Sequence, residues 1–274
     1  MRTSVNTSKI EPSGAIIWKD FASWDPLIRD LLGLRDIAAM IEKLRNTDTS
    51  EYYVDAHQWF KLLAKHLPYP IEKLVDVLTA KLRDRSIRTY HGCRPTNIDS
   101  YHKNGLRIHR HEDLIEEVRE LVRKDLRLHS LDVEARIKAI PREIDEHKAY
   151  VVLDDRALIE WAGHYLIYGG EWVGAVLSPN HRQPLLERGT PTVLQIDLPG
   201  KLIDRDMLQE LAKDLIDEWV RQVIAPREKI RLIDFSFILT ADLDGQYIVG
   251  HEHPPQINDP WEQHKTYIVI NNCC

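Results

Sequence analysis

The apolar patterning of this chain changes near residue 86, from helical spacing alone to short β-prone runs separated by helices, and that change limits the possible folds more than any other feature. From Trp24 to Arg45 apolar residues recur at helical spacing, through Leu27, Ile28, Leu31 and Leu32, then Ile37, Met40, Ile41 and Leu44. Asp48 and Ser50 precede a second helical pattern through Trp59, Phe60, Leu63 and Leu67, which Pro68 and Pro70 end. A third runs from Ile71 to about Leu82, with Leu74, Val75, Leu78 and Leu82 on one face. Residues 1–85 are therefore expected to form a helical domain, after a polar start with a Pro-Ser-Gly turn. No motif with recognisable chemistry falls in it.

Beyond that point short β-prone runs alternate with helices. Strands are expected over Ile87–His91, Ala149–Leu153, Trp172–Leu177, Thr192–Leu198 and Lys229–Leu243. The Asp244-Gly245 turn should then form a hairpin into Gln246–Val249. Helices are expected over His111–Lys124, Asp132–Ile140, Arg156–Tyr168 (ended by Gly169-Gly170) and Leu208–Val223. This order implies an α+β fold, with residues 86–274 as the second domain.

Hydrophobic residues make up 43% of the chain and charged residues 29%, the balance of a soluble globular protein. No apolar run approaches the roughly 18 residues of a membrane span, so no membrane partner is expected. Met1-Arg2-Thr3-Ser4 lacks an apolar signal core. Two of the three cysteines are Cys273 and Cys274, which cannot make a disulfide framework; a reducing, cytoplasmic location is expected. The net charge of −6 argues against non-specific nucleic-acid binding through the whole surface. Lys81, Arg83, Arg85, Arg88 and Arg94 form a local basic stripe, read as a solvated helix end feeding a strand.

Chemistry concentrates in Tyr90-His91-Gly92-Cys93-Arg94-Pro95-Thr96-Asn97 and in the Gly105-Leu106 pair that follows. This reads as a strand ending on histidine and glycine, then a short helix and a turn. Gly92 has no side chain, so its backbone can lie against a ligand and offer both N–H and C=O. The neighbouring His91 ring has one donor and one acceptor nitrogen. A donor and acceptor side by side suit a planar carboxamide such as nicotinamide. No glycine-rich Rossmann or P-loop pattern competes.

The pattern resembles the opening strand of the ADP-ribosyltransferase superfamily (diphtheria-toxin/PARP-like, His-Tyr-Glu type), where His-Gly-x-Arg-x-x-Asn and a downstream Gly-Leu cradle NAD. The resemblance implies that His91 holds a ribose hydroxyl, that the Gly92 backbone holds the nicotinamide amide, and that Arg94 and Asn97 belong to the same site. A second segment, Ala149 to Asp155, is similar to the family's tyrosine strand running into a helix with an aromatic eleven residues on, here Tyr150 and Trp161. Two aromatic faces would hold a nicotinamide ring by stacking. Trp161 replaces the usual tyrosine, and Tyr165, one helical turn later, is the alternative wall. Thr192 to Gly200 looks like a central family strand and is assigned to scaffold.

The fourth segment, Asp244 to Gly250 followed by Pro254-Pro255, resembles the family's last strand, but Gln246 stands where the family has its catalytic glutamate. Cleaving the nicotinamide–ribose bond builds positive charge on the ribose, which a carboxylate stabilises. Opposite unit charges about 4 Å apart are worth roughly 4 kcal/mol at an effective dielectric of 20, so an amide there implies a loss of two to three orders of magnitude in rate, roughly. Three accounts stay open: an engineered inactivation, a natural working variant, or a binding-only relative. Glu252, in His251-Glu252-His253, is an alternative source of charge.

What the resemblance implies is an ADP-ribosyltransferase-like split β-sandwich of two mostly antiparallel sheets with a cleft, behind an N-terminal helical domain. Its catalytic residues would be His91, Tyr150 and position 246, and its co-substrate NAD. The acceptor would be a protein or nucleic acid, as in a toxin or defence effector, with residues 1–85 available to an antitoxin or regulatory partner. The alternatives are a non-catalytic NAD- or ADP-ribose-binding module, or an RNA 2′-phosphotransferase using Arg88 and Arg94 on phosphates. His109-x-His111 and His251-x-His253 have strand spacing but no third ligand, so they are read as hydrogen-bonding histidines and no metal is expected.

Overall fold

Pro26, in the first turn, and Gly33, left-handed at φ 57°, bracket helix α1 (Asp25–Leu32) as start and stop signals. In the computed structural model, which describes residues 14–33, 37–47, 57–108, 110–129, 131–140, 147–224, 229–262 and 265–269, α2 (Ile37–Arg45), α3 (Gln58–Ala64), α4 (Ile71–Arg83) and strand β1 (Ser86–Cys93) follow. Next come α5 (Asp99–Asn104), α6 (His111–Lys124), α7 (Val133–Ala139), β2 (Ala149–Val152), α8 (Asp155–Glu160), α9 (His164–Tyr168), α10 (Glu171–Leu177) and α11 (Gln183–Leu186). The rest comprises β3 (Thr192–Pro199), α12 (Arg205–Ile224), β4 (Ser236–Leu239), β5 (Ile248–Glu252), β6 (Gln256–Asp259) and β7 (Lys265–Ile268). Asp48, Ser50, His109, Cys273 and Cys274, on which expectations above rest, lie outside the described residues.

The chain forms two compact units: residues 1–88 with 198–230, and residues 89–197 with 231–274. The helical unit is thus not confined to residues 1–85. Residues 198–230, expected within an 86–274 domain, belong to it. Its centre is α12, which packs against α1, α2, α3 and α4. Leu208, Leu211, Leu215, Ile216, Trp219 and Val220 are all buried, and so are Asp217 and Glu218. A helix buried on so many sides needs neighbours on each of them. Its polar groups are matched: Asp217 accepts the Phe60 N–H at 2.8 Å, and Trp219 Nε1 donates to Asp25 at 2.8 Å.

The second unit is built on a five-stranded sheet in the order β4-β2-β1-β3-β5, with a separate β6-β7 pair. Neighbours β1–β2, β2–β4, β3–β5 and β6–β7 run antiparallel. Its core includes Tyr90, Val118, Leu166, Trp172, Val176 and Ile257. The expected mixed fold with antiparallel pairing is present, but three local expectations are corrected. Trp172–Leu177 is helix α10, not a strand. Of Lys229–Leu243 only Ser236–Leu239 is a strand. Asp244-Gly245 opens a 3-10 turn (Gly245–Tyr247), not a hairpin, and β4 and β5 occupy opposite edges of the sheet.

Candidate active site

At the C-terminal end of β1, within the second unit, lies a cavity of about 600 Å³, a volume typical of small-molecule sites. His91 and Gly92 come from β1, Tyr150 from β2 and Tyr165 from α9, and all four line it. The antiparallel pairing of Tyr90 with Val152 brings the first two strands together. It also lets His91 Nδ1 meet the Tyr150 carbonyl oxygen at 2.8 Å. A carbonyl only accepts, so Nδ1 carries the proton in this bond, and the neutral ring keeps Nε2 as its acceptor.

Gly92 also serves the packing around the cavity. A Cβ there would lie 3.3 Å from Leu158 Cδ2 and from Tyr165 Cβ, so the bare backbone admits α8 and α9. Those helices are separated at Trp161–Gly163. Gly163 passes so close to the Asn258 carbonyl that any side chain would collide with it. The break turns Trp161 outward, 48% exposed, and leaves Tyr165 on the cavity wall. Of the two aromatics weighed for this segment, Tyr165 lines the cavity and Trp161 does not.

Arg94 lines the cavity with its donors already engaged. Nε bonds the Arg188 carbonyl at 2.7 Å, and the terminal nitrogens reach the carbonyls of Leu166 and Leu186 and the Tyr267 hydroxyl. It ties β1 to the helices. Asn97 is exposed off the cavity and caps the turn into α5, its Oδ1 accepting the Asp99 N–H at 2.9 Å.

The Gly-Leu pair does hold a turn: Gly105 has φ 80°, and Leu106 exchanges two backbone bonds with Leu243 at 2.9 and 2.8 Å. That bridge anchors the chain just before Asp244. Gln246 nevertheless sits exposed in the 3-10 turn ahead of β5, outside the cavity lining. Glu252 is also outside it, accepting from Gln195 Nε2 at 2.5 Å. The position matched to the family's glutamate thus does not line the cavity with His91 and Tyr150.

Several lining residues went unanticipated: Arg107, Arg110 and Lys148, the carboxylates Asp113 and Glu117 of α6, and Tyr101 and Trp172. Arg188 NH2 pairs with Glu117 at 3.3 Å, while the three other cations have no ion pair among the described residues. Burial pushes the Cys93 thiol up to about 12 and raises the neighbouring Tyr101 phenol, so both are protonated at neutral pH and serve as neutral lining. Cationic groups beside aromatic rings suit a ligand with both planar rings and anionic groups.

His102 Nε2 meets His251 Nδ1 at 3.2 Å, and His253 lies beside His251 with ring centroids 5.3 Å apart. Among the described residues no group of three or more His, Cys, Asp or Glu is arranged to hold a metal ion, nor is any helix long and apolar enough to cross a membrane. No family model, curated protein or solved structure matches the chain.

Proposed function

We propose that the second unit binds NAD in this cavity and acts as an ADP-ribosyltransferase of the split β-sandwich type, transferring ADP-ribose to a protein or nucleic acid, as a toxin or defence effector does. One observation carries the reading. His91, Gly92 and Tyr150, with Tyr165 as the alternative aromatic, were singled out by motif in two separate segments, and all four line one cavity. In this reading His91, its ring oriented by the bond from Nδ1 to the Tyr150 carbonyl, faces a ribose hydroxyl. Tyr150 and Tyr165 flank the nicotinamide ring, and Arg107, Arg110 and Lys148 meet the pyrophosphate. NAD supplies an activated glycosidic bond; the chain supplies orientation and charge. Incubating the protein with NAD and quantifying released nicotinamide tests this, with isothermal titration calorimetry for binding. Absence of any NAD binding would reject it.

A second reading, a module that binds NAD or ADP-ribose without turnover, is favoured by the position of Gln246 and Glu252 outside the lining. Binding without nicotinamide release, unchanged in Gln246→Glu, would select it.

A further inference from the structure

We infer that Asp113, on α6, is the catalytic carboxylate of this cavity, in place of position 246; the inference rests on the NAD reading above. Asp113 and Glu117 are the carboxylates that line the cavity among the described residues. Glu117 is paired with Arg188 at 3.3 Å. The Asp113 side chain has no hydrogen-bond or ion-pair partner among the described residues, and it lies in the first turn of a fourteen-residue helix. It adds a carboxylate to a wall that Arg107, Arg110 and Lys148 otherwise supply with cations.

The chemistry defines what that charge does. The bond between the ribose carbon and the nicotinamide nitrogen breaks, its electron pair leaving with the nitrogen. A new bond forms from the lone pair of water, or of an acceptor nucleophile, whose proton passes to solvent. Positive charge grows on the ribose between these events, and a carboxylate facing it stabilises it more than it stabilises the bound ground state.

The test compares the native protein with Asp113→Asn, Asp113→Glu and Gln246→Glu, each checked for native near-ultraviolet circular dichroism. Two readouts are taken: nicotinamide release, and calorimetric affinity for NAD against a nucleotide bearing a cationic iminoribitol ring. Asp113→Asn should lower release about a hundredfold and weaken the cationic ligand at least about tenfold, with NAD affinity changed less than about threefold. Asp113→Glu should keep the preference for the cation, and Gln246→Glu should change neither readout. Native binding and release with Asp113→Asn unaffected in both would overturn the role of Asp113 and leave the NAD reading standing. A gain of release in Gln246→Glu would likewise overturn it. A native protein that binds neither ligand would reject the NAD reading itself.

Discussion

His91 and Tyr150 are joined across neighbouring strands, the imidazole Nδ1 held 2.8 Å from the peptide oxygen. The bond fixes a tautomer at the cavity wall, and nitrogen chemical shifts should show His91 protonated on Nδ1 in the neutral state. His91→Ala removes both the ring acceptor and the partner of the Tyr150 carbonyl. NAD affinity, measured by calorimetry, should fall about tenfold or more. An unchanged affinity would detach His91 from the ligand.

Gly92 and Gly105 should differ sharply in tolerance. Gly92→Ala meets side-chain carbons at 3.3 Å that can yield slightly, for a cost of about 1–2 kcal/mol. Gly105→Ala drives a methyl into the Leu243 carbonyl at φ 80°, and should cost about 3 kcal/mol or more. Urea denaturation of the two variants gives the order directly.

Arg107, Arg110 and Lys148 line the cavity without an ion pair among the described residues. Replacing each by alanine should weaken NAD by about 1–2 kcal/mol, in the range of a charge-assisted bond. Nicotinamide mononucleotide, with one phosphate, should lose less. Raising salt should weaken native binding and affect the triple variant far less. Calorimetry at two ionic strengths checks both.

His164 is expected to make stability depend on pH. Burial between Tyr165 and Trp261 pushes its pKa down to about 4, and both ring nitrogens lack hydrogen-bond partners among the described residues. As pH falls below about 6.5 the unfolded chain takes up a proton that the folded ring refuses. Stability should decline through that window by up to about 1.4 kcal/mol per pH unit, then level off below about 4. His164→Phe keeps the stacking and removes the orphaned nitrogens, so it should flatten this part of the profile and gain most near pH 5. Thermal melts from pH 4 to 8 give the comparison.

Much of the helical unit was legible because α1 and α4 each carry a clear 3.6-residue apolar period. Where α12 packs was not legible, since periodicity identifies a helix but not its neighbours. Trp172-Val173-Gly174-Ala175-Val176-Leu177 misled because a short apolar run buried on nearly every side has no polar face to reveal its period. Asp244-Gly245 carried a hairpin signal, yet the bridge between Leu106 and Leu243 directs the chain elsewhere. In the site, His91, Gly92 and Tyr150 were legible from local motif and Tyr165 only as an alternative to Trp161; Gly163, whose contact with Asn258 is long-range, decides between them. The polar face of α6 was invisible as a site, because a helix stripe facing a cavity and one facing water have the same spacing.

The crossing of the chain between units at residues 88, 197 and 230 has a consequence for biosynthesis. Helices α1–α4 are translated about 120 residues before α12, an interval on the order of ten seconds at about 5–20 residues per second. During it, Trp59, Leu62, Leu74 and Leu78 have no central helix to cover them. The unit made first is thus completed late, and its nascent apolar faces are natural clients for a chaperone.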